Sequence, residues 1–155
     1  MKKVLQVLGI VFVVILVVAG GIMGYAAYTG TRLDASSKAY VDTAVPAIVA
    51  HWSQQALVAR AAPQLLQAVS PAQLTKAFSW FRSLGPMKKY CGAKGQSYTD
   101  VSFKNGRTVT ARYTACTQFA KGRATINVAL LQNKDKVWQI AGFYVNSPAL
   151  LPASQ

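Results

Sequence analysis

The chain reads as an α+β domain behind an N-terminal membrane anchor: about three helices packed on a curved antiparallel sheet of four to five strands. Three observations predict this. Val4 to Tyr28 is an apolar run in which Gln6 is the only strongly polar side chain. Between Ser37 and Leu84 apolar residues recur at three- and four-residue steps, and from Met87 the period changes to two. Helices followed by a block of strands give segregated layers and not alternating βαβ units.

The apolar run comes first. At about 1.5 Å per residue, roughly 20 apolar residues cross a bilayer, so the run is long enough to span with some tilt. Residues 1–28 are therefore assigned as an anchor. A cleaved signal peptide is the competing reading, but its apolar core is shorter, and the best cleavage match (Gly24-Tyr25-Ala26) falls inside the run. No cysteine near its end offers a site for acylation. Gly20 and Gly24 have the spacing of a close helix–helix contact, although glycine is common in spanning helices generally. Lys2 and Lys3 hold the N-terminus inside, which puts the C-terminal domain outside. The expected location is a bacterial inner membrane, crossed once, with a cytoplasmic N-terminus and a periplasmic domain.

Residues 29–37 read as a polar connector and residues 38–155 as one domain, too short for two. A first helix is expected from Ser37 to about Ala62, with Tyr40, Val41, Ala44, Val45, Ile48 and Trp52 on one face and Pro46 bending or splitting it. Pro63 opens a short segment to about Val69, with Leu65 and Leu66 inward. Ser70-Pro71-Ala72-Gln73 supplies a cap, a first-turn proline and the glutamine of a capping box for a third helix. Leu74, Phe78 and Phe81 share its face, and Gly85-Pro86 ends it.

Strands are expected at Met87–Ala93, Ser97–Lys104, Thr108–Phe119, Ala124–Gln132 and Val137–Asn146, with turns at Asn105-Gly106, Lys121-Gly122 and Asn133–Lys136. In the longest, Val109, Ala111, Tyr113, Ala115 and Phe119 take one face and Thr108, Thr110, Arg112, Thr114 and Gln118 the other. A strict two-residue turn at Asn105-Gly106 pairs Lys104 with Arg107 and strands Val101 and Phe103 on the polar face. A bulge, or a sheet covered on both faces, is needed to resolve that conflict.

At this point the outer domain resembles the nuclear-transport-factor-two-like (cystatin-like) superfamily, and a poorly characterised bacterial family of secreted or anchored domains within it. The resemblance rests on Ser70–Leu74, Phe81–Gly85, Phe119–Ala124 and Val137–Val145, the last with tryptophan followed by glycine and an aromatic. It covers roughly Asp42 to Val145. It implies helices against a curved sheet, with a cone-shaped space between them that serves as a pocket or docking surface. It implies no single activity, because the superfamily includes isomerases, dehydratases, partner-binding modules and secretion-channel domains.

Charge narrows the function. The chain has 17 basic and 4 acidic side chains, all four aspartate; with Lys2 and Lys3 ahead of the anchor, the outer part has a net charge of +11. Such a surface suits anionic lipid, acidic wall polymer or an acidic protein face. The anchor, and the lack of interleaved aromatic platforms, argue against nucleic acid. Lys88, Lys89 and Lys94 are the candidate docking residues.

Catalysis is not expected. His51 and Asp42 lie nine positions apart on one helix and face opposite ways. Asp34 and Asp135 sit in a connector and a turn, and Asp100 is expected to form an exposed ion pair with Arg112. No phosphate loop, nucleophile elbow or carboxylate pair is present. No cofactor or metal is expected, since two cysteines and one histidine fit no zinc pattern. Cys91 and Cys116 are expected to be disulfide-bonded in an oxidising compartment, buried thiols being the alternative.

The expected function is a non-catalytic binding module docking to an envelope protein or an anionic envelope component. The alternative is a carrier or sensor of a small apolar ligand, using a cavity lined by Trp52, Tyr113 and Phe119. An enzyme built around His51 is the third reading.

Overall fold

The computed structural model describes the backbone of residues 2–102, 104 and 106–151, and side chains from Ile15 onward. The chain divides into two compact units, Met1–Leu33 and Asp34–Gln155. Helix α1, Lys2–Val49, runs through the division. Thr29–Ser37, expected as a connector, is therefore helical, and the second unit starts at Asp34.

In the first unit Ile15, Leu16, Val17, Val18, Ile22 and Met23 are all exposed. Thr29 and Thr31 donate to the carbonyls of Tyr25 and Ala27, and the Arg32 guanidinium lies 4.7 Å from the centre of the Tyr28 ring. Among the described residues no helix is long and apolar enough to cross a membrane. The side chains of Val4 to Val14, nearly half of the expected span, lie outside the described residues.

The second unit is an α+β domain. The end of α1 is followed by α2 (Gln54–Val58), α3 (Pro63–Ala68) and α4 (Pro71–Phe81), then by strands β1 (Met87–Ser102), β2 (Gly106–Phe119), β3 (Gly122–Gln132) and β4 (Trp138–Asn146). The strands form one antiparallel meander in the order β1-β2-β3-β4. Val41, Val45, Ile48 and Val49 of α1 and Phe78 of α4 are buried, as are Ala111, Tyr113, Phe119, Ile126, Leu130 and Ile140 on the helix-facing side of the sheet. Fully burying each large aliphatic or aromatic side chain contributes about 1.5–3 kcal/mol.

Pro46 does not split α1. The helix continues to Val49 because Ala50 N–H still reaches the Pro46 carbonyl at 2.9 Å. It ends instead at Trp52, whose φ of 47° is left-handed. Ser53 N–H bonds the Ile48 carbonyl at 2.8 Å and Trp52 N–H the Val49 carbonyl at 3.4 Å, a Schellman ending with tryptophan where glycine is usual. Helix α4 begins with the expected capping box: Ser70 accepts from Gln73 N–H, and the Gln73 side chain accepts from Ser70 N–H. Leu74 and Phe78 are buried as its periodicity requires. Helix α3, by contrast, buries no residue, and Leu66 is exposed. Its role is at its entrance, where Ala62 N–H and the Arg60 carbonyl bond Ile140 and cover part of the β4 edge.

Four strands replace the five expected segments, because β1 runs unbroken through Lys94-Gly95-Gln96. Gly95 marks a close approach and not a turn. A Cβ there would lie 2.0 Å from the Arg112 carbonyl oxygen and 2.7 Å from Tyr113 Cα. The β1–β2 register pairs Ser102 with Gly106 and Val101 with Arg107, so three residues and not two make the loop. That one-residue difference returns Val101 to the face of Val109 and Ala111, with no bulge needed. Phe103 and Asn105 lie outside the described residues. The register also separates Asp100 from Arg112. Asp100 faces Thr108 and Arg112 faces Gln96, so the expected ion pair is absent among the described residues.

Candidate functional site

Helices cover one face of the sheet, so residues of opposite parity on β1–β4 are presented on the other. Lys89 faces Gln118, which faces Arg123; Lys94 faces Thr114, which faces Asn127, which faces Tyr144; Gln96 faces Arg112. The fold thereby gathers Lys89, Lys94, Arg112 and Arg123 on one surface. Asp100, at the far end of β1, is the carboxylate on the same face of these paired strands. Lys88 sits at the register shift between Met87 and Lys89, exposed beside them.

Two of the remaining aspartates are occupied elsewhere. Asp34 Oδ1 accepts both the N–H and the hydroxyl of Ser97 at 2.6 Å. Asp42 takes hydrogen bonds from Lys38 and from the Tyr90 hydroxyl, the latter at 2.7 Å. Partial burial pushes the Asp42 pKa up, but the bonds from Lys38 and Tyr90, the Lys38 charge and the Ala93 backbone outweigh it and hold the carboxyl below its usual value. The same environment pushes the Tyr90 hydroxyl up, through burial first and then its bond to Asp42. Lys38–Asp42 is the one salt bridge among the described residues. The cations of the outer sheet face carry no carboxylate partner in that set.

The centre of this face is a groove of about 500 Å³, lined by Lys94, Arg112, Thr114, Asn127, Ala129 and Tyr144 together with backbone of Gly95, Tyr113 and Val128. The Thr114 hydroxyl donates to Asn127 Oδ1 at 2.9 Å, which leaves the Asn127 NH₂ as a donor. Of these residues Lys94 was singled out by sequence for docking, and Tyr113 for an apolar cavity on the other face. The signal for the rest was the alternation in β2, which put Arg112 and Thr114 on the polar side. Asn127 and Tyr144 join them only through register.

The three residues expected to line an apolar cavity lie in the packed interior. Trp52 is 2% exposed, stacked on Phe119 at 5.0 Å and packed on Phe81 at 5.3 Å. The Tyr113 hydroxyl is hydrogen-bonded to Ser37 Oγ at 2.9 Å and to the Asp34 carbonyl at 3.0 Å. Side chains thus occupy the space beside each of the three. Trp52 Nε1 and Thr117 Oγ1 are buried without a hydrogen-bond partner among the described residues. His51 is exposed where α1 ends and lines a separate groove with Trp52, Ser53, Gln54, Gln55, Val58 and Arg82, so the predicted cavity residue Trp52 borders this groove although it is 2% exposed. Among the described residues no group of three or more His, Cys, Asp or Glu is placed to hold a metal ion.

Cys91 and Cys116, expected as a disulfide pair, carry no S–S bond in this structure but stand side by side. They are brought together by the register shift between Tyr90 and Gly92, which bulges Cys91 beside Cys116 with the sulfurs 2.8 Å apart. The contact with Cys91 pushes the Cys116 thiol up, against the charges of Arg123 and Lys89. Exposure to oxidised glutathione is expected to join the two sulfurs, with release of two reduced glutathiones. Closing this 25-residue separation should stabilise the domain by about 3–4 kcal/mol. Peptide mapping under non-reducing conditions checks the bond and urea unfolding checks its effect; persistent mixed disulfides at both cysteines would contradict it.

No family model matches this chain, and neither a curated protein nor a solved structure is matched by it.

Proposed function

We propose that this chain is a single-pass inner-membrane protein whose periplasmic domain is a non-catalytic binding module, docking an anionic envelope component or an acidic envelope protein on the outer face of its sheet. The single observation that carries the reading is the gathering of Lys89, Lys94, Arg112 and Arg123 on that face with Asp100 alone at its far end. Supporting the anchor are Lys2 and Lys3 ahead of the apolar run and the exposed apolar side chains from Ile15 to Met23. Kinship with the nuclear-transport-factor-two-like superfamily is part of the same proposal and rests on the segments already quoted. The carrier and enzyme readings gain no comparable support. Trp52 and Phe119 are stacked on each other, and Asp42 is engaged by Lys38 and Tyr90.

Each basic residue at an anionic surface contributes about 1 kcal/mol. Reversing Lys88, Lys89 and Lys94 to glutamate in the full chain is therefore expected to reduce its cross-linked envelope partner in intact cells by about a hundredfold or more. Cross-links of unchanged identity and yield in a folded triple variant would sink this reading.

A further inference from the structure

We propose that the groove between Lys94 and Tyr144 is a specific site for a ring-bearing anion, a phosphorylated sugar unit, and not merely part of a diffuse positive surface. This rests on the reading of the outer sheet face as the docking surface and names what its centre recognises.

The polar groups that line the groove point to oxygen anions. Lys94 and Arg112 stand diagonally across the β1–β2 pair, on the same face. Cross-strand diagonals of this kind are about 7–8 Å apart between backbones, within reach of one ligand for two long side chains. Asn127 is held with its carbonyl oxygen occupied by Thr114, so it offers N–H donors. Among the described residues no carboxylate lines the groove. An ammonium, a guanidinium fork and an amide N–H together match a phosphoryl group and would leave a cation unsolvated.

The aromatic wall points to a ring. Tyr144 is 69% exposed on a strand whose neighbours Trp138 and Ile140 are buried. Its ring lies over Gly142, where a Cβ would come within 3.1 Å of Tyr144 Cε2 and 3.3 Å of the Ala129 methyl. Glycine at 142 therefore lets the ring lie down against the sheet. One side of the ring covers backbone and the other is left to solvent, as a stacking surface for the C–H face of a sugar. The Thr114 hydroxyl, the Asn127 amide and the Tyr144 hydroxyl are then placed for the sugar hydroxyls. The volume of about 500 Å³ falls in the usual range of small-ligand sites.

The test is a ¹⁵N–¹H titration of the full chain in a neutral polyoxyethylene detergent at low salt, with glucose 6-phosphate, glucose and inorganic phosphate as separate probes. Glucose 6-phosphate is expected to shift the Asn127 side-chain amide and the Gly95 and Gly142 backbone amides saturably. Inorganic phosphate should bind at least about tenfold more weakly for want of the ring, and glucose should produce no saturable shift. Lys94→Gln with Arg112→Gln should weaken glucose 6-phosphate at least about tenfold. Lys121→Gln with Lys134→Gln removes the same charge from the turns and should leave it unchanged. Tyr144→Ala should bring glucose 6-phosphate down to the affinity of phosphate. Equal affinity for phosphate and glucose 6-phosphate, equal weakening in the turn variant, or no saturable shift would each overturn the proposal. If cross-linking in cells still depends on Lys88 and Lys89 while the groove takes no probe, the groove assignment fails and the docking module stands.

Discussion

Trp52→Ala is expected to cost roughly 3–5 kcal/mol of stability, the range for deleting a large buried aromatic. The indole stacks on Phe119 at 5.0 Å and Phe81 at 5.3 Å and meets Phe78 edge-on at 6.4 Å. It therefore ties the end of α1 to α4 and β2 at once, and its Nε1 has no hydrogen-bond partner among the described residues. The backbone sharpens the test. At φ 47° any side chain bears left-handed strain, so Trp52→Gly should be about 0.5–1 kcal/mol more stable than Trp52→Ala although it removes more apolar surface. Urea unfolding of the three proteins measures both differences. An alanine variant within 1 kcal/mol of the parent would mean that the aromatic cluster does not hold the domain together.

Gly95→Ala is expected to cost roughly 3 kcal/mol or more, although it adds one methyl group to an exposed residue. The contacts it would meet are backbone: the Arg112 carbonyl oxygen at 2.0 Å, Tyr113 Cα at 2.7 Å and the Arg112 carbonyl carbon at 2.8 Å. Backbone cannot rotate away as a side chain can. Relief requires β1 and β2 to part, at the expense of ladder hydrogen bonds between them. The same movement shifts Lys94 relative to Arg112, so binding in the groove should fall along with stability. Unfolding and ligand titration of one preparation read both effects. A near-neutral alanine variant would contradict the close strand approach itself.

These two positions show where sequence reasoning stopped. Glycine between two strand-like runs suggests a turn, and Gly95 broke the expected strand in two. Its real constraint comes from Arg112 and Tyr113, which are distant in sequence and become neighbours only through the register. Trp52 looked like one more member of an apolar helical stripe. That its own residue ends the helix depends on where the aromatic rings of α4 and β2 receive it, and local preference gives no hint of a left-handed tryptophan. At Pro46 local chemistry favoured a bend or a split; the helix does not split there, absorbing one missing donor while its apolar face remains packed. The capping box at Ser70 and Gln73, by contrast, is a contact between residues three apart, and it was legible.

The candidate site divides along the same line. Lys94, and the polar parity of Arg112 and Thr114, could be read directly. Their meeting with Asn127 and Tyr144 could not, because a one-residue change of pairing would have sent those side chains to the other face. Cys91 and Cys116 were expected to pair, and a bulge between Tyr90 and Gly92 is what brings their sulfurs together.

By itself, then, the sequence determined the α+β class, the boundaries of α4, the two faces of β2 and the basic character of the chain. Each of these is written in periodicity, capping or composition, which are local properties. Tertiary structure alone decided that β1 is continuous, that α1 ends at a tryptophan, that Trp52 and Phe119 are core, and that four cations and an exposed tyrosine share one sheet face. Those outcomes depend on which strands pair and in what register, and pairing is settled by burial of the whole domain and not by any segment of it.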